Sequence, residues 1–478
     1  MKTERKNEGG KISPTTFVIF GVTGDLAQRK LFPALFALHR RGLLPEQYRI
    51  VGFSRRPFAP EEFRSFVSEA LAKKGAAEGA DASAASAALK DFLNHVQYQQ
   101  GFFDKNDSYQ DLAKALQQVD EELGQCSNKL FYLSVPPSLY EEIFVHLSFS
   151  GLTIPCGGDL GWTRVLVEKP FGRDLATAQK LDALLATLFK EEQIFRIDHY
   201  LAKETLQNIL AFRFANNLFE PVWNREFVDS VEVRLLEKID LQGRGAFFDD
   251  IGSLRDVGQN HILQMLALAA MDDPKGCGSD AIRRSRAAVL SQLMPVEPSK
   301  LVRAQYAGMR EERGVKPDSQ TETYFRIVAG IGSPRWKGVP FILEAGKALD
   351  EARAEITVSF KKVESCFDPV AGAGEHRDSL TFRIQPNEGI ELTFWAKTPG
   401  VVTEVEPKRL SFSYGPEAKD AIGDAYEKVL YDCVRGDQTL FASTEEVAAA
   451  WKFVTPILEQ WGKVPLGTYE KGSRPSHI

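Results

Sequence analysis

Short apolar runs, each followed by an amphipathic stretch, recur through the first part of the chain and limit the folds it can adopt. These runs are TFVIF at Thr16–Phe20, RIVGF at Arg49–Phe53, LFYLSV at Leu130–Val135 and RVLVE at Arg164–Glu168. Strands that are apolar on both faces are typical of a parallel sheet that helices cover on both sides. The pattern therefore predicts an N-terminal α/β domain with a doubly wound, Rossmann-like sheet.

The second part of the chain follows a different pattern. Its strand-like segments alternate apolar with polar residues, which is typical of antiparallel strands with one face on a core. The segments are Val231–Leu236, Ala354–Phe360, Leu380–Gln385 and Ile390–Lys397. The helical patterns around them cover His199–Phe214, Ser253–Met271, Glu417–Val434 and Thr444–Trp461. We predict a Rossmann-like domain over residues 1–198 and a larger α+β domain over residues 199–478, with a mostly antiparallel sheet and helices; the PNEG turn at 386–389 joins two strands as a hairpin.

Composition restricts the partners and the compartment. The net charge is −6, so the chain has no general attraction for nucleic acid or for an anionic membrane. The N-terminus is charged and lacks an apolar core, and no stretch approaches the ~18 apolar residues of a membrane span. The five cysteines lie far apart without a CxxC pair, which predicts neither a disulfide scaffold nor a cysteine zinc site. We expect a protein of the reducing cytoplasm that needs no metal.

The first apolar run leads directly into GVTGDLA at Gly21–Ala27, and an amphipathic helix follows. A strand, a tight glycine turn and a helix place backbone amides and a positive helix end beside a diphosphate. The glycine spacing is shorter than the usual GxGxxG, so the glycines alone are equally compatible with a plain structural turn. The second strand ends beside Arg55 and Arg56, where an NAD enzyme carries a carboxylate. We favour arginines that bind the 2′-phosphate of NADP over the alternative of solvated surface charges.

Two segments in the middle of the chain carry candidate site residues. In RIDHYLAKE, Asp198 is expected near the N-cap of a helix, with His199 and Lys203 on one face. Such a helix end could receive a phosphate, although an ordinary capped helix is the alternative. On the next helical segment, His261 lies on an apolar stripe and is either a satisfied core residue or a general base. A base would need a carboxylate from another segment, because Asp256 lies about 140° around a regular α-helix from His261.

The positions of two lysines in the sequence do not decide between a structural and a functional role. Lys169 follows a predicted strand at its carboxyl end, where ligands of such sheets bind, but a simple exit from the strand is equally compatible. Lys347, in the EAGKAL segment, is by its spacing an ordinary surface charge.

Several motifs taken together, in this order along the chain, resemble the glucose-6-phosphate dehydrogenases. The motifs are GVTGDLAQRK (21–30), EKPFGRDL (168–175), RIDHYLAKE (196–204), RDVGQNHILQ (255–264), GVPF (338–341), GKAL (346–349) and IQPNE (384–388). The likeness extends from about Phe17 to near the C-terminus, and RIDHYLAKE is highly specific to that family. The resemblance implies oxidation of glucose 6-phosphate at C1 to the 6-phosphoglucono-lactone, with hydride transfer to NADP, as the first step of the oxidative pentose-phosphate pathway.

The resemblance also implies roles for individual residues. His261 matches the general base and Asp198 the carboxylate that orients it; an imidazole, with an ordinary pKa of about 6.5, suits this role. The residues that match the phosphate clamp are His199, Tyr200 and Lys203. Those that match contacts to the sugar or line its pocket are Glu237, Asp256, Lys169 and Lys347. Those that match the cofactor site are Gly21, Thr23, Gly24, Asp25, Leu26, Arg55, Arg56 and Pro136 with Pro137, together with Lys169.

The sequence departs from the family pattern at a few positions. Ala352 stands where members often carry a basic residue, and Arg353 beside it is a possible replacement. Glu344 stands where animal members have an arginine of a second, structural NADP site, and the sequence ends soon after Gly472–Pro475. We therefore expect no second nucleotide site. The ratio of NADP to NAD use stays open, and the family suggests a homodimer or homotetramer.

Two other functions are compatible with parts of the sequence. Enzymes that act on unphosphorylated sugars also carry a Glu-Lys-Pro signature, but they have no use for a phosphate clamp such as RIDHYLAKE. A catalytically inactive NADP-binding sensor has no reason to keep both His261 and Asp198. Both alternatives are therefore less favoured than a sugar-phosphate dehydrogenase.

Overall fold

The computed structural model describes residues 13–74, 82–156, 161–364, 367–369, 375–415 and 423–475. The strands are β1 Thr15–Phe20, β2 Tyr48–Ser54, β3 Val96–Gln100, β4 Asn128–Leu133, β5 Thr163–Val167, β6 Ile194–Ile197, β7 Val228–Leu236, β8 Leu301–Tyr306, β9 Tyr324–Ala329, β10 Phe341–Gly346, β11 Arg353–Phe360, β12 Asp368–Pro369, β13 Ser379–Gln385, β14 Gly389–Lys397, β15 Glu404–Ser413, β16 Phe441–Ala442 and β17 Leu466–Tyr469. The α-helices are α1 Phe32–Arg40, α2 Pro60–Lys73, α3 Ala82–Asn94, α4 Asn106–Leu123, α5 Tyr140–Phe149, α6 Leu175–Leu188, α7 Glu204–Phe214, α8 Gly245–Phe248, α9 Leu263–Ala270, α10 Ser279–Ser291, α11 Ala425–Arg435 and α12 Thr444–Gln460. Wider π-type turns precede α1 and α9, at Ala27–Leu31 and Leu254–Ile262. Among these residues no helix has both the length and the apolar character needed to cross a membrane.

The first of two compact units comprises the described residues of Met1–Phe171, Lys180–His199 and Gly423–Ala442. Its sheet, within the described part of the chain, has the order β16-β6-β5-β4-β1-β2-β3. All neighbouring pairs are parallel except the antiparallel pair of β16 and β6. The chain moves outward from β1 to β3 and then returns to the other side of β1, which creates the switch point of a doubly wound fold. The prediction of a Rossmann-like sheet is confirmed.

The apolar runs account for this sheet. Every residue of β1 and of β4 is buried, as expected for strands that are covered on both faces. Phe20, the last residue of β1, packs against Phe53 with ring centroids 5.0 Å apart, and against Tyr109 of α4 at 6.0 Å. Burial of such aromatic side chains supplies much of the stability of the unit.

A late segment of the chain completes the first unit. Asp424 caps α11 by accepting a hydrogen bond from the Tyr426 N–H at 3.0 Å, and it pairs with Lys30 at 2.6 Å. The Arg164 guanidinium, on β5, donates to the Cys433 carbonyl at 2.6 Å. The chain then pairs β16 with the edge of β6. The start of the helix predicted at 417–434 lies outside the described residues.

The second unit comprises Gly172–Gln179, the described residues of Tyr200–Ile422, and those of Ser443–Ile478. Its described residues form a sheet of order β12-β15-β14-β13-β11-β7-β10-β9-β8-β17. The pairs β7/β10, β8/β17 and β12/β15 are parallel and the others are antiparallel, so the prediction of a mostly antiparallel sheet is confirmed. The predicted hairpin joins β13 to β14, with Asn387 in the left-handed region at φ 61°.

The cysteine prediction needs a correction. Cys126 and Cys156 are joined by a disulfide with an S–S distance of 2.00 Å. Cys126 lies just before β4 and Cys156 in the connection to β5, and these two strands are parallel neighbours. The segments that enter adjacent parallel strands meet at one edge of the sheet, which brings together cysteines that are separated by 30 positions.

Candidate active site

The glycine turn after β1 has a geometry that other residues could not adopt. Gly21 has a φ of +74°, and a Cβ built on it would lie 2.3 Å from the Ser134 carbonyl oxygen. Gly24 donates its N–H to the Gly21 carbonyl at 2.8 Å and closes the turn just before the helical turns begin. A tight glycine turn between a strand and the first helical turns is the arrangement that binds the diphosphate of a dinucleotide. The turn contains the predicted cofactor residues Gly21, Thr23, Gly24, Asp25 and Leu26.

The arginines after β2 lie at the same edge of the sheet as this turn. β1 and β2 are parallel neighbours, and the Gly21 N–H donates to the Phe53 carbonyl at 2.9 Å. Arg55 and Arg56 are both exposed. The Arg56 guanidinium lies 4.6 Å from the centroid of the Phe58 ring. Two cations at this position fit the 2′-phosphate of NADP better than a ribose hydroxyl.

Candidate residues also follow β4 and β5. Pro136 and Pro137 come after β4, where the Ser134 N–H donates to the Phe20 carbonyl at 3.0 Å. Lys169 follows β5 and is partly exposed. Its neighbour Glu168 accepts a hydrogen bond from the Tyr132 hydroxyl at 2.5 Å. Burial raises the pKa of Glu168, although hydrogen bonds from tyrosines and the charge of Lys169 partly oppose the shift.

Asp198 and His199 follow β6, but the helix predicted at this point starts later. Residues 199–203 form turns, and α7 begins at Glu204 with Lys203 as its N-cap. The Lys203 N–H already donates to the Tyr200 carbonyl at 2.9 Å, and the Lys203 backbone is extended, so a helix cannot pass through it. Asp198 is therefore not an N-cap, and the argument that His199 and Lys203 share a helix face is wrong. Asp198 is 2% exposed, and the His199 ring stacks on Tyr426 with centroids 6.3 Å apart.

The second unit brings three of its predicted sugar-binding residues together. β7 and β10 are parallel neighbours, so Glu237 and Lys347, which follow them, lie at one edge of the sheet. The Lys347 ammonium lies 2.6 Å from a Glu237 carboxylate oxygen and 3.6 Å from one of Asp256. Lys347 is only 4% exposed, so the alternative of a surface charge is wrong for this residue. These residues offer both donors and acceptors, which is what the hydroxyl groups of a sugar require.

His261 lies on the helical segment that also carries Asp256. Its side chain is buried, and its ring stacks on the Tyr200 ring with centroids 4.3 Å apart. The segment Leu254–Ile262 is π-helical, with hydrogen bonds that join residues five apart, so the angle calculated for a regular α-helix does not apply to Asp256 and His261. The Asn260 side chain donates to the Asp256 carbonyl at 3.0 Å and accepts from the His261 N–H at 2.7 Å. Asn260 had no predicted role, although the QNH tripeptide that contains it belongs to a family motif.

Tyr200 and Lys203, both expected in the phosphate clamp, form hydrogen bonds with the side chain of Gln385, a residue that had no predicted role. The Lys203 ammonium donates to the Gln385 side-chain oxygen at 2.5 Å and lies 4.9 Å from the Tyr200 ring centroid. The Gln385 amide donates to the Tyr200 hydroxyl at 3.4 Å. Gln385 ends β13 inside the IQPNE motif, so the motif itself was the available signal.

The positions that depart from the family pattern carry ion pairs. Glu344 accepts hydrogen bonds from the Tyr324 hydroxyl at 3.0 Å and from the Arg234 guanidinium at 3.2 Å. Arg353 pairs with Glu351 at 2.6 Å and with Glu355 at 3.3 Å. Glu344 is thus engaged by a tyrosine and an arginine, and Arg353 by two carboxylates. The expectation that the second nucleotide site is missing stays a prediction.

The features of the first unit define the class of the protein. Its sheet order, its glycine turn and the arginines beside that turn are those of a dinucleotide-binding domain, in which ligands bind at the carboxyl edge of the strands. The second unit adds a buried imidazole and a set of charged side chains suited to a polar substrate. The chain is therefore a dinucleotide-dependent enzyme of the oxidoreductase class.

Comparison with known proteins gives the family. Residues 18–208 match the model of the glucose-6-phosphate dehydrogenase NAD binding domain, and residues 210–477 match that of the C-terminal domain of the same enzyme. The chain is 41% identical to the glucose-6-phosphate 1-dehydrogenase of Chlamydia muridarum, over 94% of this chain and 91% of that protein. A solved glucose-6-phosphate dehydrogenase in complex with its substrate glucose 6-phosphate is similar in structure, with a TM-score of 0.88, 35% identity and coverage of 97% of this chain and 95% of the other. The corresponding enzyme of Mycobacterium avium has a TM-score of 0.82 at 33% identity, over 96% of this chain and 95% of the other.

This chain belongs to the glucose-6-phosphate dehydrogenase family. The resemblance given by the sequence motifs is confirmed, and so is the expected class of NADP-dependent oxidoreductase. The roles assigned to individual residues rest on motif positions and on the geometry above, and they remain predictions.

Proposed function

We propose that the chain oxidises glucose 6-phosphate at C1 to the 6-phosphoglucono-lactone, with NADP as hydride acceptor. Residues 1–198 bind the dinucleotide in this proposal, and residues 199–478 bind the sugar phosphate and form the contacts between subunits. The observation that carries the proposal is His261, a buried imidazole stacked on Tyr200 in a family of enzymes that oxidise this sugar. NADP, when bound, supplies the nicotinamide that accepts the hydride.

His261 acts as the general base. It takes the proton of the C1 hydroxyl as the hydride leaves C1, so the C1 oxygen becomes the carbonyl oxygen of the lactone and no further oxidant is needed. Asp198 is the carboxylate that orients the imidazole and stabilises its protonated form. Burial of His261 supports this role, because exclusion of water strengthens the interaction of an imidazolium with a carboxylate.

The phosphate and the sugar are held by different residues. His199, Tyr200 and Lys203 bind the phosphate group, and the contact of Lys203 with Gln385 supports a fixed position for its ammonium. Glu237, Asp256, Lys347 and Lys169 bind the sugar. The ion pair between Lys347 and Glu237 supports this assignment, because it fixes a donor beside an acceptor before the substrate arrives.

The proposed cofactor contacts come from residues that follow the strands at the carboxyl edge of the first sheet. Gly21, Thr23, Gly24, Asp25 and Leu26 hold the diphosphate at the glycine turn, which has no room for a Cβ at Gly21. Arg55 and Arg56 bind the 2′-phosphate, and Pro136 and Lys169 border the cofactor from the neighbouring strand ends. This arrangement predicts a preference for NADP over NAD.

We further propose that the protein works in the cytoplasm as a homodimer or homotetramer, in the oxidative pentose-phosphate pathway. The acidic net charge supports a small-molecule partner rather than a nucleic acid.

The proposal is tested by following reduced-nicotinamide absorbance with glucose 6-phosphate or free glucose, and with NADP or NAD. We expect turnover with glucose 6-phosphate and NADP, and little with free glucose. His261→Asn should lower kcat by at least about 100-fold while the KM for the sugar phosphate changes little. His376→Asn is the matched control, because His376 packs on Trp395 outside the proposed site. Equal turnover of free glucose, or normal turnover by the His261 variant, would contradict the proposal.

A further inference from the structure

The last strand of the second sheet ends in a tyrosine whose hydroxyl is bound to the backbone of the sugar-binding segment. Tyr469 is 4% exposed, and burial raises its pKa. Its hydroxyl lies 2.7 Å from the Lys347 carbonyl oxygen and 2.8 Å from the Thr323 hydroxyl. Tyr469 therefore contacts the backbone of Lys347 directly.

The direction of these hydrogen bonds follows from the donors present. A carbonyl only accepts, and the Lys347 carbonyl oxygen, at 2.7 Å, is nearer to the Tyr469 hydroxyl than the Thr323 carbonyl oxygen at 3.4 Å. Tyr469 therefore donates its single proton to Lys347 and accepts from the Thr323 hydroxyl. The Thr323 hydroxyl in turn accepts from the Tyr306 N–H at 2.9 Å. A chain of hydrogen bonds thus runs from the backbone of β8, through Thr323 and Tyr469, to Lys347.

The Lys347 segment needs such support because its backbone is unusual. Ala348 has a φ of +52°, a conformation that costs about 1 kcal/mol or more and persists only where surrounding contacts impose it. The N–H of Lys347 donates to the Thr323 carbonyl at 2.9 Å, and that of Ala348 donates to the Ile239 carbonyl at 2.8 Å. The N–H of Leu349 donates to the Glu237 carbonyl at 2.9 Å. These three hydrogen bonds come from backbone groups. The Tyr469 side chain adds a further one, from its hydroxyl to the carbonyl of Lys347 itself.

We propose that Tyr469 is a positioning residue that fixes the backbone of Lys347 and thereby sets the position of its ammonium between Glu237 and Asp256. The inference rests on the proposed function in one respect only, that Lys347 binds the sugar. Without the hydroxyl of Tyr469, the turn at Ala348 can relax, and the Lys347 ammonium then moves away from the Glu237 and Asp256 carboxylates.

Tyr306 and Tyr324 belong with Tyr469 to one buried cluster of the second unit and serve as matched controls. Tyr306 and Tyr324 pack edge-on against Tyr469, with ring centroids 6.5 and 6.0 Å away. Their hydroxyls donate to Glu312 and Glu344, and neither bonds the backbone of a sugar-binding residue. Each Tyr→Phe variant removes one hydroxyl from the same cluster, and the two control hydroxyls donate to carboxylates, so the controls should lose at least as much stability as Tyr469→Phe. A rise in KM confined to Tyr469→Phe therefore does not follow from lost stability.

The experiment measures KM and kcat for glucose 6-phosphate in Tyr469→Phe, Tyr306→Phe and Tyr324→Phe. Tyr469→Phe should raise the KM for glucose 6-phosphate about fivefold, the equivalent of one hydrogen bond, with a smaller change in kcat and no change in the KM for NADP. Both control variants should keep the normal KM. An unchanged KM in Tyr469→Phe, or an equal rise in all three variants, would overturn the inference.

A second pair of variants keeps the test decisive if Tyr469→Phe folds poorly. Thr323→Val removes the hydroxyl that donates to Tyr469, whereas Thr323→Ser retains it. The valine variant should raise the KM for glucose 6-phosphate and the serine variant should restore it; equal KM values for the two would overturn the inference. Wild-type protein that does not oxidise glucose 6-phosphate would instead contradict the proposed function, so the two failures are distinguishable.

Discussion

Replacing Lys347 by methionine removes the charge between two carboxylates while nearly preserving side-chain volume. At an effective dielectric constant of about 20, the contacts of 2.6 Å with Glu237 and 3.6 Å with Asp256 correspond to Coulomb energies of about 6 and 5 kcal/mol. Most of this attraction is offset by the cost of removing the ammonium from water, and measured losses on breaking a buried pair are about 3–5 kcal/mol. The Glu237 side chain is 25% exposed, so we expect the lower end, about 3 kcal/mol of unfolding free energy.

The same substitution should weaken the sugar complex. A hydrogen bond from a charged group is worth about 2 kcal/mol, which is about 30-fold in kcat/KM. Denaturant unfolding and steady-state kinetics on Lys347→Met measure the two effects separately. Lys471→Met is the control, since Lys471 also pairs with two carboxylates, at 2.8 and 3.2 Å, but is 43% exposed. The control should lose less than about 1 kcal/mol. If the two variants lose the same stability, or if Lys347→Met keeps its kcat/KM, the reasoning from the buried charges is wrong.

Two further predictions concern buried charges away from the site. Glu446→Gln should cost about 3–5 kcal/mol of unfolding free energy, because it removes the negative charge that the fully buried Arg286 contacts at 2.6 Å; a loss equal to that of the exposed Glu445→Gln would contradict this. Burial raises the pKa of Asp432 to about 6, so the contribution of this carboxyl group to stability falls as pH rises from about 4 to 6. Asp432→Asn does not titrate, and urea unfolding should show its stability relative to wild type increasing over that window; a pH-independent difference would refute the assignment.

The sequence predicted the fold of the first unit and its strands β1, β2, β4 and β5, because burial on both faces leaves a direct mark on composition; β3, β6 and β16 of the same sheet were not predicted. In β1 every residue is buried and the four residues from Phe17 to Phe20 are consecutively apolar, which is the mark of a strand covered on both faces. The glycine turn was equally predictable, since Gly21 is in a conformation that disfavours any side chain. The buried strands and the glycine turn are each determined by residues that are adjacent in the chain, and for that reason a local sequence pattern can detect them.

The errors arose where individual hydrogen bonds, which leave no mark on the apolar pattern, decide the local structure. The helix expected from His199 begins only at Glu204, because the Lys203 N–H is used in a turn, and no local pattern indicates that choice. The π-helical turns around His261 change the angle between residues five apart. The Asn260 side chain donates to the Asp256 carbonyl within these turns, but an asparagine at this position would also fit a regular α-helix, so the sequence does not indicate the wider turns. Tyr469 contacts Lys347 across 122 positions, so nothing near it marks its role.

The position of β16 bears on how the polypeptide can acquire its structure during synthesis. The first sheet lacks its outermost strand until residues 441–442 have left the ribosome, long after β6 was made. Until then the edge of β6 presents unpaired backbone groups, which invite association with other chains. Contacts between residues this far apart in sequence form slowly. The nucleotide-binding half, although encoded first, is therefore completed only when most of the other half has been translated, and the exposed edge is where a chaperone would be needed.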